Sequence, residues 1–515
     1  MKINQLKIGS LLSYLQMGLS LIIGLLYTPV MIRLLGQSEY GLYNTVSSTI
    51  SMMSVLSLGF NVSYIRFFSK YKKENDTQSI YRLNGLFLLI YGVIAAIVVA
   101  CGVFLTTHLE LVFDEGLTAG EYEIARVLMA LLTANLAVSF PMSVFSSIIS
   151  AHEKFVLLKL LGIGKTVVGP LVTLPLLLMG YRSIAMVAVT VAITWAVDIC
   201  YLFFVLVKLK QRFLFGRVEK GLFRSIFNYT FFIAINMIVD QINWSMGKFL
   251  LGRFHGTSAV AIYSVGYTLY NHYHLFSTAI SGVFTPRIHK TVLKTADDQS
   301  AQRQALTSLF TRVGRIQFLC LSLVATGIVF FGKPFIVNIW AGAEYGDSYA
   351  VTLLLVFSSM VALIQNLGIE IQRALNRHQF RSLAYIVMAI INLCMTVIFC
   401  RRYGAIGAAL GTAISLVVAN GLIMNVYYHK KCNIDILYFW KNILRLAVGL
   451  IPPVAAGMLI DRFFDLNNLW VFGGSILLYV AVYAVSMWLL GMNEYEKNLV
   501  TKPVKKILRK TGARA

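Results

Sequence analysis

Two lysines stand where a lysine is costly. Lys165 and Lys248 each lie deep in a long apolar run, far from the polar residues that bound it. An ammonium in hydrocarbon is stable only beside an anion or a wetted cavity, so its natural chemistry is attraction of an anionic group. Two carboxylates share this setting. Asp240 precedes Lys248, and Asp198 lies in the apolar run after that of Lys165. Each can bind a proton or a cation, and Asp198 can instead pair with Lys165. Asn236, Asp240, Asn243 and Gly247 recur at i, i+4, i+7 and i+11, which places them on one helical face; Gln241, Trp244 and Lys248 form the adjacent stripe. Two readings are open: the face lines an internal cavity, or Asp240 is a structural hydrogen-bonding group and Lys248 reaches outward to the interface. Tyr263, Tyr267, Tyr270 and His274 repeat the same spacing in the next run, as a ligand-facing aromatic stripe or a packed helix interface. None of these sets makes or breaks a bond, and no catalytic residue or metal site is expected. The six cysteines form no C-x-x-C, and most sit in apolar sequence, so neither a disulfide framework nor a zinc site is suggested.

The elements that position these residues follow from composition. Of 515 residues, 58% are hydrophobic and 13% charged, and the mean hydropathy is +0.73. Soluble proteins carry about 25% charged residues, so a soluble enzyme is excluded. Apolar runs from 10–34 to 469–491 give fourteen membrane-spanning helices. The first run lacks the cleavage site and brevity of a signal peptide and reads as an uncleaved span. Lysine and arginine orient the set. With both termini in the cytoplasm, 35 of the 45 fall inside and 8 outside, leaving only Lys165 and Lys248 deep within spans. The net charge of +23 therefore addresses the anionic lipids of the cytoplasmic leaflet, and no nucleic acid is expected.

The chain also repeats itself. At an offset of 221 residues, Arg66, Lys73, Asp76, Gln78, Ser79 and Arg82 match Arg287, Lys294, Asp297, Gln299, Ser300 and Arg303. Leu34-Leu35-Gly36 and Tyr43 are echoed by Leu250-Leu251-Gly252 and Tyr263. His152 to Phe155 is echoed by Arg377 to Phe380. The expected organisation is an N-terminal lobe over 1–222, a C-terminal lobe over 223–430, two further spans over 431–491 and a basic tail over 492–515. Because each half holds an even number of spans, the repeat is parallel, a layout suited to transporters.

Two segments carry a family resemblance. Thr28-Pro29-Val-Met-Ile-Arg33-Leu-Leu-Gly36-Gln-Ser-Glu39-Tyr40-Gly41-Leu-Tyr43 and Tyr403-Gly404-Ala-Ile-Gly407-Ala-Ala-Leu-Gly411-Thr412 resemble the signatures of polysaccharide exporters, the Wzx-type flippases of the multidrug/oligosaccharidyl-lipid/polysaccharide exporter superfamily. Trp340 to Tyr345 fits as well. The resemblance implies an all-α, fourteen-helix, MATE-like fold in a bacterial cytoplasmic (inner) membrane. It implies a non-enzymatic flippase for undecaprenyl-pyrophosphate-linked oligosaccharides of the O-antigen or capsule type, with no cofactor. A coupling proton or sodium ion and the polysaccharide polymerase and its assembly proteins are implied partners. On that reading Lys165, Lys248, Arg33, Arg66 and Arg287 are head-group residues. Tyr263, Tyr267, Tyr270, His274, Asn236, Asn243 and Trp244 contact sugars, and Asp240 and Asp198 are coupling-ion residues. Drug/cation antiport, lipid II flipping, a non-transporting scaffold role and membrane glycosyl transfer are the rivals. The short outer loops and the lone acidic pair Asp114-Glu115 argue against the last.

The orientation predicts that alkaline phosphatase fused in the loop after the second span is inactive, and that the same reporter fused after the third span is active; the reverse pattern would invert the topology.

Overall fold

The computed structural model describes residues 5–57, 59–113, 117–216, 220–295, 297–375, 377, 379–499 and 501–502. The acidic pair at 114–115 and most of the basic tail lie outside them. The described residues form helices and no strands. This follows from the solvent, since only a helix or a closed barrel satisfies its own backbone in hydrocarbon.

Among the described residues, twelve helical stretches are long and apolar enough to cross a membrane. Two of them, Phe223–Gly282 and Gln379–Lys431, hold 60 and 53 residues, enough to cross twice. Each contains a glycine with left-handed backbone, Gly256 (φ 74°) and Gly404 (φ 53°). An α-helix cannot run through such a residue, and glycine adopts it without a Cβ clash. Counting these two stretches as double crossings recovers the fourteen expected spans.

The chain folds into two compact units. The first comprises Met1–Val265 and Tyr385–Thr412, and the second Gly266–Ala384 and Ala413–Ala515. In the first unit, α1 (Gln5–Leu35) packs on α6 (Phe155–Leu178), and α5 (Ala119–Ala151) packs on α4 (Thr77–Thr107) and α7 (Arg182–Phe203), with α2 (Gln37–Met52) and α3 (Phe60–Lys73) beside them. Between α3, α4 and α5 the core is aromatic: Phe60, Tyr64, Phe68, Phe87, Tyr91 and Phe140 are buried together. Phe60 meets Phe87 and Tyr91 edge-on with centroids 6.0 Å apart, the geometry that ring quadrupoles favour. The buried hydroxyl of Tyr64 donates to Asn84 Oδ1 (2.6 Å). The glycine motif near residue 404 is explained by a tight hairpin. A side chain on Gly407 would collide with the carbonyl of Phe399, and one on Gly411 would meet Thr396.

The internal repeat is visible in local backbone. Gly36 (φ 77°) ends α1, and Tyr43 follows seven residues later. The matching break is Gly256, with Tyr263 again seven residues on. The Leu250-Leu251-Gly252 echo remains inside the helix Met246–Lys294, so backbone conformation moves the correspondence by one turn. The caps shift similarly. Asp76 accepts from the Ser79 amide (2.9 Å) at the start of α4. In the second half Asp298, one residue beyond the expected Asp297, accepts from the amides of Ser300 (2.8 Å) and Ala301 (3.0 Å).

The second unit is organised around the helix Gln299–Pro334. Its Ser322 hydroxyl meets the hydroxyl of Tyr483 at 2.7 Å. Its Arg315 is almost fully buried and bonded on every side: to Glu496 through Nε (2.5 Å) and Nη2 (2.9 Å), and to the carbonyls of Asn442 (2.8 Å) and Gly491 (3.0 Å). This fork ties the segment after the last span to the bundle, and removing one partner would leave the other charge buried alone. Glu496→Ala should therefore lower stability by about 3–5 kcal/mol, read as thermal unfolding of the detergent-solubilised protein, with Glu496→Gln milder. An unchanged melting temperature in Glu496→Ala would refute this role.

Candidate functional site

Between α1, α2, α6 and α7 the first unit forms a partly open cavity of about 380 Å³, within the range of about 300–1,000 Å³ typical of ligand sites. Gln16, Tyr27 and Met31 face it from α1 and Tyr43 from α2; Met186, Thr190 and Ile193 face it from α7. The α6 wall consists of Gly162, Lys165, Thr166, Gly169, Pro170 and Thr173. Local sequence explains why this wall is open and polar. Two of its six positions have no side chain, and Pro170 has no N–H to offer the carbonyl of Thr166 one turn earlier. Gly162 also lets Gln16 approach, since a Cβ there would lie 2.9 Å from its Nε2.

Lys165 is the only ionisable cation in this wall. It makes no hydrogen bond or ion pair with another described residue. Asp198 on α7 attracts it electrostatically, yet no ion pair joins them. Asp198 Oδ2 is shielded from solvent and has no hydrogen-bond partner. Lys165 is thus an exposed cation beside a cavity of mixed polar and apolar lining, with Asp198 near it and no ion pair between them.

The scaffold of this cavity depends on a residue that pattern-reading passed over. Glu39, in the first signature segment, is buried and accepts from the Ser183 amide (2.8 Å) and hydroxyl (2.6 Å), with Arg182 Nη1 at 3.3 Å. A carboxylate here satisfies the free amides at the start of α7 and sits at the positive end of its dipole. It thereby fixes α2 to α7, two walls of the cavity. Gly41 lets α2 approach a different helix, Met246–Lys294, because a side chain there would collide with the backbone of Thr257. The signal was present in the motif as Glu39 followed by Gly41, but its partner is 144 residues away.

The remaining sequence-predicted residues are dispersed. Lys248 is half-buried and donates to Asn44 Oδ1 (3.4 Å). Asn243 accepts from Asn392 Nδ2 (2.8 Å), whose own Oδ1 accepts from Thr396. Trp244 is half-buried, and Asn236 and Asp240 are exposed. The α-helical bonding continues through Ser245, whose amide donates to the Gln241 carbonyl (2.9 Å) and whose carbonyl accepts from the Phe249 amide (3.3 Å), so Asn236, Asp240, Asn243 and Gly247 keep their helical spacing. Tyr263 is buried near Gly247. In the second unit Tyr267, Tyr270 and His274 form a ladder, with ring centroids 5.8 and 6.1 Å apart. Arg33 is exposed. Arg66, also exposed, lies over the Tyr229 ring at 4.1 Å, and Arg287 is exposed in the second unit. Of these residues, none lines the α6 cavity.

Comparison with known proteins places the chain. The model of the family described as polysaccharide biosynthesis protein matches residues 8–292, more than half of the sequence. The chain belongs to this family. Capsular polysaccharide biosynthesis protein CapF of Staphylococcus aureus is 24% identical over 213 residues, 41% of this chain and 50% of the relative. A Haloferax volcanii protein named probable low-salt glycan biosynthesis flippase Agl15 is 23% identical over 205 residues, 40% of this chain and 42% of the relative. The chain thus spans about half the length of the curated relatives it matches. Among solved structures, lipid II flippase MurJ in an inward closed conformation superposes with a TM-score of 0.67 at 16% identity, covering 93% of this chain and 97% of that one. That likeness establishes the fold, and the all-helical multi-pass architecture expected from the resemblance is borne out.

The unpaired state of Lys165 has an energetic signature. A partly desolvated lysine with no hydrogen bond and only a distant counter-charge adds little to stability, whereas Glu39, buried and hydrogen-bonded, is a support. Lys165→Met should leave the melting temperature unchanged or raise it, and Glu39→Ala should lower stability by about 1–3 kcal/mol. Differential scanning fluorimetry of the two purified variants checks both, and a destabilised Lys165→Met would show that the lysine has a structural partner.

Proposed function

We propose that this protein is a flippase for lipid-linked oligosaccharides. It carries an undecaprenyl-pyrophosphate-linked repeat unit from the cytoplasmic to the outer leaflet of a bacterial inner membrane. The observation that carries this reading is Lys165: a cation without a hydrogen bond or ion pair, facing a partly polar cavity between four helices, in a member of the polysaccharide biosynthesis family. A pyrophosphate crossing hydrocarbon needs a wetted path with a positive charge on it, while its prenyl tail stays in lipid. Lys165 supplies the charge. Gln16, Tyr27, Tyr43, Thr166, Thr173 and Thr190 supply hydrogen-bonding groups to oxygens on the phosphate or the first sugar. The repeated halves, 1–222 and 223–430, rock about the substrate in alternating access. Asp198 is the coupling-ion residue on this reading. Its negative charge weakens the hold of Lys165 on the anion when ionised and releases that brake when a proton or cation neutralises it. The name of Agl15, a glycan biosynthesis flippase, supports the same assignment.

The test is mass spectrometry of prenyl-linked glycans from a host lacking the protein, complemented with wild type, Lys165→Ala or Lys165→Arg. A completed repeat unit on its pyrophosphate carrier should accumulate without the protein and with Lys165→Ala, at least tenfold over wild type, while Lys165→Arg restores most export. Accumulation of lipid II would reassign the substrate. An unchanged lipid pool would favour drug/cation antiport, and a truncated glycan would favour glycosyl transfer.

A further inference from the structure

In the second unit, a groove of about 460 Å³ runs along the last turns of the span that ends at Lys431. Its floor is Leu422, Ile423 and Val426, and one wall is the parallel stack of Phe380 on Tyr427, centroids 4.3 Å apart and planes 9° apart. Tyr427 donates its hydroxyl to the carbonyl of Arg377 (2.8 Å), which fixes the wall and brings the Arg377 backbone to the same end. Lys430 and Lys431 close the groove there, and both are exposed. From Leu422 to Lys430 the helix rises about 12 Å, the scale of the upper part of one acyl chain.

The groove is apolar along its length and cationic only at the end where the span meets the basic loop. Free phosphate would have no use for the floor, and a neutral lipid would have no use for the lysines. We propose that this groove is a binding site for an anionic phospholipid, with an acyl chain on Leu422, Ile423, Val426 and the Phe380–Tyr427 stack and a phosphate between Lys430 and Lys431. The charge pattern selects the head group and the aromatic wall positions the chain. A bound lipid would brace the helix end that carries the basic residues. The site is independent of the Lys165 cavity, so it stands or falls separately from the flippase assignment.

The test uses the full-length protein, purified in a neutral detergent and titrated with phosphatidylglycerol or with phosphatidylcholine of the same chains, bound lipid being counted by native mass spectrometry. Phosphatidylglycerol should be retained preferentially. One lysine near an anionic lipid strengthens binding about fivefold, so Lys430→Ala/Lys431→Ala should weaken retention of one phosphatidylglycerol roughly thirtyfold. Val426→Trp, which fills the floor and keeps both lysines, should expel the same lipid. The exposed pair Lys70→Ala/Lys72→Ala is the control and should retain it. Equal retention of the two lipids, or unchanged phosphatidylglycerol retention in both groove variants, would overturn the proposal. So would displacement of the phosphatidylglycerol by a prenyl pyrophosphate at equal concentration, which would make the groove part of the substrate path. Thermal unfolding of each variant separates lipid loss from misfolding, and Val426→Trp keeps the test decisive if the double lysine variant does not fold.

Discussion

A peptide group without a hydrogen-bond partner is costly in hydrocarbon, and that cost shapes this protein at every level. It forces the spans to be helical. It also decides where helices stop, because each end exposes amides and carbonyls that need partners. Asp76 and Asp298 cap their helices from the adjacent residues. Glu39 does so from a different helix, accepting from Ser183 at the start of α7. The same requirement turns a polar side chain inside a span into a structural commitment, as Arg315 shows. It is buried because Glu496 and two carbonyls absorb its guanidinium.

Lys165 stands apart against that background. Several buried or half-buried polar groups of the first unit have partners, Asn243 with Asn392, Tyr64 with Asn84 and Lys248 with Asn44, whereas Lys165 is exposed and has no hydrogen bond to another described residue. Lys165 faces a cavity, with Asp198 near enough to attract it and too far to neutralise it. A neutralised lysine would be stable and useless to an anion. A lysine with no counter-charge at all would be expensive to hold in place. The proposed anion site rests on this intermediate arrangement.

Small residues provide the geometry. Gly256 and Gly404 break two helical stretches with backbone that other residues adopt only with strain. Gly407, Gly411 and Gly41 permit close helix contacts, and Gly162 and Gly169 open the wall beside Lys165. The motifs that distinguish this sequence are thus mainly instructions for turning and packing. That accounts for their density at helix junctions, away from Lys165, the charged residue of the cavity lining.

Much of this was legible in the sequence because membrane insertion is a local property. Hydropathy over a single span decides whether that span crosses, and the placement of lysine and arginine biases its direction. The repeat is a statement about order along the chain, and Lys165 betrayed itself by charge alone. The cavity was not legible. Gln16, Tyr43, Lys165 and Thr190 come from four helices, and nothing in their local patterns says that those helices meet. The polar stripe from Asn236 to Gly247 shows the same limit: its spacing was legible, but only the fold shows that Asn243 meets Asn392 while Asn236 and Asp240 are exposed. Periodicity could not reveal that Glu39 holds α7 or that Arg315 pairs with Glu496, 181 residues later. Those partners are chosen by packing, and only the folded chain brings them within hydrogen-bonding distance.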